Sequence, residues 1–212
     1  MLGRKIVLDI ETTGLNVEKN EITEIACVEI FDYIPTGNTF HSYCNPCRPM
    51  EDEAKKITGL TDEFLKTQPL FKSIKQELLN FIDDSPIIAH NAFFDTSFIY
   101  KSLGYTLSNS IIDTLIIARS LFKTNNSLDA LCKRFNIDIN NRSYHGALKD
   151  ALLLAKVYYF LSMQEENLFS VCTFETKEDI NEVLNREPII FITQEELKEH
   201  EILCNKIKCH IF

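Results

Sequence analysis

The 212-residue sequence predicts an α/β protein with a mixed five-stranded sheet and helices on both of its faces. Three β-rich runs come first, with turn residues before the last of them, which is typical of an antiparallel meander. Apolar runs with helical spacing then alternate with two short strand-like runs, as in sheets that are covered by helices. The length is sufficient for one substantial core with a small appendage.

The three strands of the meander are each predicted from a run rich in apolar and β-branched residues. These runs are residues 4–10, 22–31 and 38–43. Pro35, Thr36 and Gly37 supply turn chemistry between the second and third strands.

The later elements are predicted from the spacing of apolar residues. Residues 70–82 have apolar positions close to helical period, and residues 93–103, 114–122, 127–135 and 147–161 are also expected to be helices. Residues 86–89 and 110–113 are short apolar runs that suit buried strands.

Four carboxylates and one histidine stand near the ends of these predicted elements. Asp9 and Glu11 are two apart on a strand, so both side chains should point to one face of the sheet. Asp95 falls in the first turn of a helix, where the helix dipole already favours an acidic residue. His145 is expected on the loop before the last helix, with Asp150 one turn inside it, because residues five apart cannot share a helix face.

A cluster of carboxylates is unfavourable unless a cation shares it, because each charge disfavours ionisation of the next. Two divalent cations with oxygen ligands would meet that need, which predicts a two-metal phosphodiesterase. An imidazole beside such a site can accept a proton from water near neutral pH.

The net charge of −9 is unusual for a nucleic-acid enzyme, but it is unevenly distributed. Residues 163–212 carry −6 and residues 1–162 carry −3. Two bound dications would leave the latter region at about +1, enough to engage a short strand end but without the basic stripe of a processive binder. A partner is therefore expected to bring the substrate.

The seven cysteines are scattered and odd in number, which argues against a disulfide framework and favours free thiols. Cys44 and Cys47 form a CxxC motif, and a zinc site completed by Cys204, Cys209 and His210 is the weaker alternative. No apolar run approaches the length of a membrane span, and the first residues are not expected to be a signal peptide. The protein is expected to be cytoplasmic.

The periodicity weakens after residue 162. Residues 163–187 are predicted to be a flexible linker, because they are polar with only scattered apolar positions. In residues 188–212, a strand-like run is followed by a capping box, Thr193-Gln194-Glu195-Glu196, that opens a helix. So short a segment is expected to dock onto another protein, with packing against residues 1–162 as the alternative.

Three motifs, LDIETTGL, HNAFFD and HGALKDA, resemble in order and spacing those of the DEDDh 3′–5′ exonucleases. Over residues 4–162, the chain is further similar to the proofreading epsilon subunits of bacterial DNA polymerase III, most clearly in NSLDALCKRFNIDINNRSYHGALKDALLLAKVY. The resemblance implies a ribonuclease H-like exonuclease domain over 1–162. It also implies that this domain proofreads by removing mispaired 3′-terminal nucleotides.

The resemblance assigns roles to particular residues. It implies that Asp9, Glu11, Asp95 and Asp150 hold two Mg²⁺ or Mn²⁺ ions and that His145 is the general base. The expected contacts with the terminal nucleotide are Glu11, Thr12, Leu15, Glu53, Thr58, Phe94 and Asp150. Thr58 departs from the family pattern, which has histidine at this place.

The resemblance also implies partners. The substrate would be the single-stranded 3′ end of DNA, and residues 188–212 would bind the polymerase alpha subunit. A small theta-like subunit is a further expected partner. Gln164–Phe169 is a loose match to a sliding-clamp motif. Two alternatives stay open: an RNA-processing exonuclease of the same family, and a subunit that mainly tethers the polymerase to the clamp.

Overall fold

The computed structural model describes residues 3–139 and 144–172, and its centre is one five-stranded sheet. The strands are β1 (Arg4–Thr12), β2 (Ile22–Phe31), β3 (Ile34–Tyr43), β4 (Ile87–Ala89) and β5 (Ile111–Asp113). Their order across the sheet is β3-β2-β1-β4-β5. β1, β2 and β3 pair antiparallel, whereas β4 pairs parallel with β1 and with β5. The predicted meander and mixed sheet are confirmed.

Seven helices occur in the described residues, and they lie on both faces of the sheet. They are α1 (Asp52–Thr58), α2 (Asp62–Lys66), α3 (Phe71–Ile82), α4 (Ala92–Leu103), α5 (Thr114–Leu121), α6 (Leu128–Arg134) and α7 (Ala147–Cys172). None of them is long and apolar enough to cross a membrane.

The alternation of side chains along β1 divides the core between the two faces. Ile6, Leu8 and Ile10 pack against buried residues of α3 and α4. Val7 faces the other way, into a cluster that includes Ala151 and other small residues of α7. Because Asp9 and Glu11 have the parity of Val7, their side chains lie on the α7 side of the sheet.

The hairpin between β2 and β3 is shorter than the sequence predicts. β3 begins at Ile34, and the turn consists of Asp32 and Tyr33, with φ angles of 45° and 72°. Two consecutive positive φ angles fit the two-residue hairpin turns whose twist matches that of the strands. The predicted turn at Pro35 is therefore wrong, and a proline is tolerated there because β3 is an edge strand.

Three helical features differ from the sequence prediction. Helices α1 and α2, between β3 and α3, were not predicted. α7 continues to Cys172, past the predicted end at Leu161 and into the predicted linker. The rest of the linker and all of 188–212 lie outside the described residues. Cys27, Cys44, Cys47 and Cys132 are thiols and do not form disulfides, as predicted.

Candidate active site

Asp9 and Glu11 lie at the carboxyl end of β1, the central strand of the sheet. Both side chains are half-buried, whereas Ile10 between them is buried in the core on the opposite face. The regular pairing of β1 with β2 is interrupted between Glu11 and Thr12. The strand thus presents two carboxylates side by side at its end, as the DxE spacing predicts.

Asp95 reaches the same edge of the sheet from the first turn of α4, and only 4% of it is exposed. The turn before this helix is held by another carboxylate, that of Asp113 at the end of β5. Asp113 accepts hydrogen bonds from the backbone N–H groups of Asn91 (3.1 Å) and Ala92 (3.0 Å). Asn91 has a left-handed φ of 67°, which this amide side chain tolerates well. Asp113 thereby fixes where α4 begins.

His145 and Asp150 come from the loop before α7 and from its first turn, as predicted. The backbone N–H of His145 donates to the carbonyl oxygen of Ile57 (3.0 Å), which ties the loop to α1. The His145 side chain is 45% exposed and that of Asp150 only 6%. His145 Nδ1 lies 3.2 Å from Asp150 Oδ2.

The five predicted residues converge from β1, α4 and α7. One ligand atom each of Glu11, His145 and Asp150 lie within 4.8 Å of one another. Asp9 joins them electrostatically, because the charges of Asp95, Asp150 and Glu11 all act on it. Residues separated by as much as 141 positions in the sequence thus form one cluster.

The cluster disfavours its own ionisation. Burial, followed by the charges of Asp95 and Asp150, raises the pKa of Asp9 well above its ordinary value. Burial also raises the pKa of Asp95 to about 8, although hydrogen bonds from the backbone N–H groups of Asp95 and Ile10 oppose this change. A cluster of carboxylate oxygens of this kind suits hard divalent cations, because a bound cation stabilises the ionised carboxylates. The donor set therefore fits metal binding.

A fifth carboxylate at this site, Glu24, was not predicted. It stands opposite Glu11 in the β1–β2 ladder, is 3% exposed and also raises the pKa of Asp9. Its Oε1 lies 2.7 Å from Nε2 of His41 on β3. The signal in the sequence is a lone glutamate inside the apolar run ITEIACV, a position that a buried strand disfavours without a partner.

The predicted substrate contacts occupy varied environments. Leu15 is 82% exposed just beyond β1, and Glu53 is exposed on α1. Phe94 is half-buried, with its ring 5.0 Å from that of Phe98. An adjacent aromatic side chain that was not predicted, Phe93, is 82% exposed. Leu15 and Phe93 are the apolar side chains here with the most accessible surface.

The two threonines among these residues have buried hydroxyls. Thr12 donates to the carbonyl oxygen of Gly14 (2.8 Å), which stabilises the turn after β1. Thr58 donates to the carbonyl oxygen of Ala54 (2.9 Å) and accepts from the N–H of Leu60 (3.2 Å). The Thr58 hydroxyl is therefore used in closing α1, where the family pattern has histidine.

Glu51, another residue that was not predicted, closes the turn after β1. Its carboxylate accepts a hydrogen bond from Asn20 Nδ2 (2.9 Å) and packs directly on Gly14. A Cβ atom at Gly14 would collide with this carboxylate, so any larger residue there would displace the Glu51 side chain. The close approach holds the Thr12–Gly14 turn against the start of α1.

Comparisons with known proteins identify the family. The family model for the RNase T-type exonucleases, described as "Exonuclease", matches residues 6–158. DNA polymerase III subunit epsilon of Rickettsia prowazekii is 41% identical over 96% of both chains. The chain belongs to the exonuclease family, among the DNA polymerase III epsilon subunits. Relatives of the same name from Buchnera aphidicola (39% identity; 93% of this chain, 89% of the relative) and Salmonella typhimurium (36%; 94% and 91%) agree. The predicted family and its 3′–5′ proofreading exonuclease activity are confirmed.

Solved structures show the same fold at lower identity. Exonuclease X in complex with 5′ overhanging duplex DNA has a TM-score of 0.63 and 24% identity, covering 75% of this chain and 91% of that one. The zinc-bound Escherichia coli exonuclease I–single-stranded DNA complex has a TM-score of 0.69 and 17% identity, covering 81% and 43%. The predicted ribonuclease H-like exonuclease fold is confirmed, and the family is metal-dependent.

Proposed function

We propose that the five clustered residues hydrolyse the 3′-terminal phosphodiester bond of a DNA strand and release 5′-mononucleotides. The observation that carries this proposal is the convergence of Glu11, His145 and Asp150 within 4.8 Å, beside Asp9 and Asp95. Four acidic residues and one half-exposed imidazole at a sheet edge suit phosphodiester hydrolysis better than a structural role, since buried like charges destabilise the fold.

In this proposal, Asp9, Glu11, Asp95 and Asp150 hold two divalent ions, Mg²⁺ or Mn²⁺. Such ions, when bound, would polarise the phosphate, favour a nucleophilic hydroxide and stabilise the leaving 3′ oxygen. The charges of the other three carboxylates all act on Asp9, which supports its role as the shared ligand.

His145 accepts the proton of the attacking water. Asp150 Oδ2, 3.2 Å from His145 Nδ1, favours the tautomer with the proton on Nδ1, which leaves the Nε2 lone pair available. The 45% exposure of the imidazole lets it reach water and then release the proton to solvent. Its loop is nevertheless anchored through the hydrogen bond to Ile57, so the imidazole stays near the carboxylates.

Preference for errors follows from access to the site. A mispaired 3′ end unpairs at a lower free-energy cost than a matched end, so it reaches the carboxylates more often as a single strand. Leu15, Phe93 and Phe94 offer apolar surfaces beside which the terminal base can be held, while Glu53 lines the same site. Thr12 and Thr58 support this site through the turn after β1 and the end of α1.

The proposed partners are those of a replicative polymerase. Relatives named DNA polymerase III subunit epsilon align along 96% of this chain, which includes residues beyond the exonuclease match. This supports a role for residues 188–212 in binding the polymerase alpha subunit. A theta-like subunit and a sliding clamp, bound through Gln164–Phe169, are further proposed partners.

The test is digestion of a primer with a mispaired 3′ end by the purified chain, with and without Mg²⁺. We expect metal-dependent release of 5′-mononucleotides, faster from the mispaired than from the matched primer, and no release by His145→Ala. Equal activity of the variant and the unaltered chain would contradict the assignment. Faster digestion of a matched RNA oligonucleotide than of DNA would favour the RNA-processing alternative.

A further inference from the structure

An open cavity lies beside the carboxylate cluster, at the same edge of the sheet. Its volume is about 690 Å³, and polar or cationic groups form most of its wall. The lining residues used below are His90, Arg119, Phe122, Lys123, Thr124 and Asn125. None of them has a role in the hydrolysis described above.

The sheet sets the position of this cavity relative to the site. His90 directly follows β4, and its Nδ1 lies 2.9 Å from Oγ1 of Thr114, the first residue after β5. Thr114 in turn donates to the carbonyl oxygen of Ala89 (3.1 Å). The cavity therefore begins where β4 and β5 end, next to the end of β1. Neighbouring strands are about 4.8 Å apart, so it starts roughly 5–10 Å from the Asp9–Glu11 pair.

Two cationic side chains line the cavity, and no carboxylate of the described residues forms an ion pair with either of them. Arg119 and Lys123 are exposed, and neither forms an ion pair within residues 3–139 and 144–172. They are concentrated here although residues 1–162 as a whole carry a net charge of −3. Positive charge beside an otherwise acidic site favours an anionic ligand.

The segment that carries Lys123 is held in place by Arg134 of α6. The Arg134 guanidinium lies 4.1 Å from the centre of the Phe122 ring and donates to Asn126 Oδ1 (3.2 Å). It also donates to Thr124 Oγ1 (2.5 Å), and Asn126 Nδ2 donates to the carbonyl oxygen of Phe122 (3.1 Å). A wall ordered before binding loses less conformational freedom when a ligand arrives.

We propose that this cavity binds the sugar–phosphate backbone of the substrate strand upstream of the bond that is cleaved. This inference rests on the proposed function. Arg119 and Lys123 supply charge-assisted hydrogen bonds to phosphate oxygens, and Thr124 and Asn125 supply neutral polar groups. Contacts of this kind recognise the backbone of a strand without reading its sequence, which suits an enzyme that must act on any terminal base.

The distance between the carboxylates and the cavity fits a DNA strand that runs along the edge of the sheet. Phosphates in one strand are at least about 3.4 Å apart, so a span of roughly 10 Å corresponds to about one to three nucleotides. A dinucleotide at the carboxylates would end before the cavity or at its rim. A strand of six nucleotides would extend across it.

The test compares dithymidylate and hexathymidylate as substrates for the full-length chain and for the double variant Arg119→Gln/Lys123→Gln. Lys72→Gln is the matched control, because Lys72 is an exposed cation on α3 that does not line the cavity. We expect the ratio of kcat/KM for the hexamer to that for the dimer to fall by about ten-fold or more in the double variant. The control should keep the ratio of the unaltered chain.

Salt dependence supplies a second readout that does not require turnover. The affinity for hexathymidylate is measured by fluorescence anisotropy in EDTA at several salt concentrations. Loss of two phosphate contacts should reduce the slope of log affinity against log salt by about 1.4, since each contributes about 0.7 on single strands. Lys72→Gln should leave the slope unchanged.

The outcomes separate the two proposals. An unaltered chain that cleaves both substrates, combined with a double variant whose length ratio and salt slope are both unchanged, would overturn the cavity proposal alone. An unaltered chain that cleaves neither substrate would overturn the proposed function and this inference with it. Equal melting temperatures of the three proteins would exclude misfolding as the cause of a loss.

Discussion

His145 Nδ1 and Asp150 Oδ2 lie 3.2 Å apart, yet the histidine side chain is 45% exposed and the aspartate side chain 6%. The pair therefore joins a group in contact with solvent to one inside the carboxylate cluster. The buried aspartate can orient the imidazole while its exposed edge exchanges protons with water. The group that orients the base is therefore buried, whereas the edge of the base that exchanges protons is exposed.

Replacing His145 with glutamine should lower kcat by about 10²–10⁴-fold, because general-base catalysis typically contributes that much. The amide keeps a hydrogen-bonding group near Asp150 but does not accept a proton at neutral pH. The melting temperature should change little, since the side chain is half-exposed. Single-turnover hydrolysis and thermal unfolding measure the two effects, and a variant with unaltered turnover would exclude His145 as the base.

The stability of the metal-free protein should fall as the pH rises. The pKa of Asp95 is about 8 in the folded protein and 3.8 ordinarily, so between these values the folded state keeps a proton that the unfolded chain has lost. Stabilisation present below about pH 4 is therefore lost progressively up to about pH 8, by as much as a few kcal/mol. Burial raises the pKa of Asp9 as well, which acts in the same direction.

Thermal unfolding in EDTA between pH 4 and pH 8 measures this effect. Asp95→Asn should flatten the pH dependence, because the amide does not titrate. Lys72→Gln, at an exposed site on another part of the sheet's helical cover, should retain the slope of the unaltered chain. The prediction fails if Asp95→Asn and the control give the same slope.

Divalent ions should stabilise the folded chain. Mg²⁺ or Mn²⁺ at about one hundred times its dissociation constant should add about 2.7 kcal/mol per independent site to the free energy of unfolding. Asp150→Asn removes one charge from the cluster and should weaken this stabilisation, whereas Lys72→Gln should preserve it. Isothermal titration calorimetry gives the number of ions, and a stoichiometry of one would contradict the two-metal proposal.

Leu15→Ala should weaken binding of the substrate end more than it slows chemistry. Leu15 is 82% exposed beside the carboxylates, so its removal leaves the fold intact but deletes an apolar contact. Loss of such a side chain is worth about 1–3 kcal/mol when it is covered by a ligand, which corresponds to a rise in KM of roughly five-fold to 150-fold. Ile34→Ala, at an exposed apolar position on the edge strand β3, is the control and should leave KM unchanged.

Elements whose apolar residues recur with a clear period could be predicted from the sequence. α3, α4 and the strands β1, β2, β4 and β5 lie close to their predicted bounds, because the spacing of apolar residues indicates which face of an element is buried. α1 and α2 were missed because each contains only two apolar residues, too few to show a helical period. The start of β3 was missed because proline and glycine usually break strands, whereas an edge strand tolerates them.

The candidate site was predictable for a different reason. Asp9, Glu11, Asp95, His145 and Asp150 lie at the ends of elements, where a sequence places polar groups next to a core. Glu24 and Glu51 were missed because their importance depends on partners. Glu24 belongs to the site because it pairs opposite Glu11, and Glu51 because it contacts Gly14. Neither relationship is visible before the chain is folded.

The contact between Gly14 and the carboxylate of Glu51 makes this glycine a position where a mutation would disturb the packing of the turn. Any larger residue at Gly14 places at least one carbon atom where the Glu51 carboxylate lies, so it would displace that side chain from the turn that follows the first two acidic residues. Such a change would therefore act on the accuracy of copying through the packing beside the acidic pair, with every reactive group still encoded.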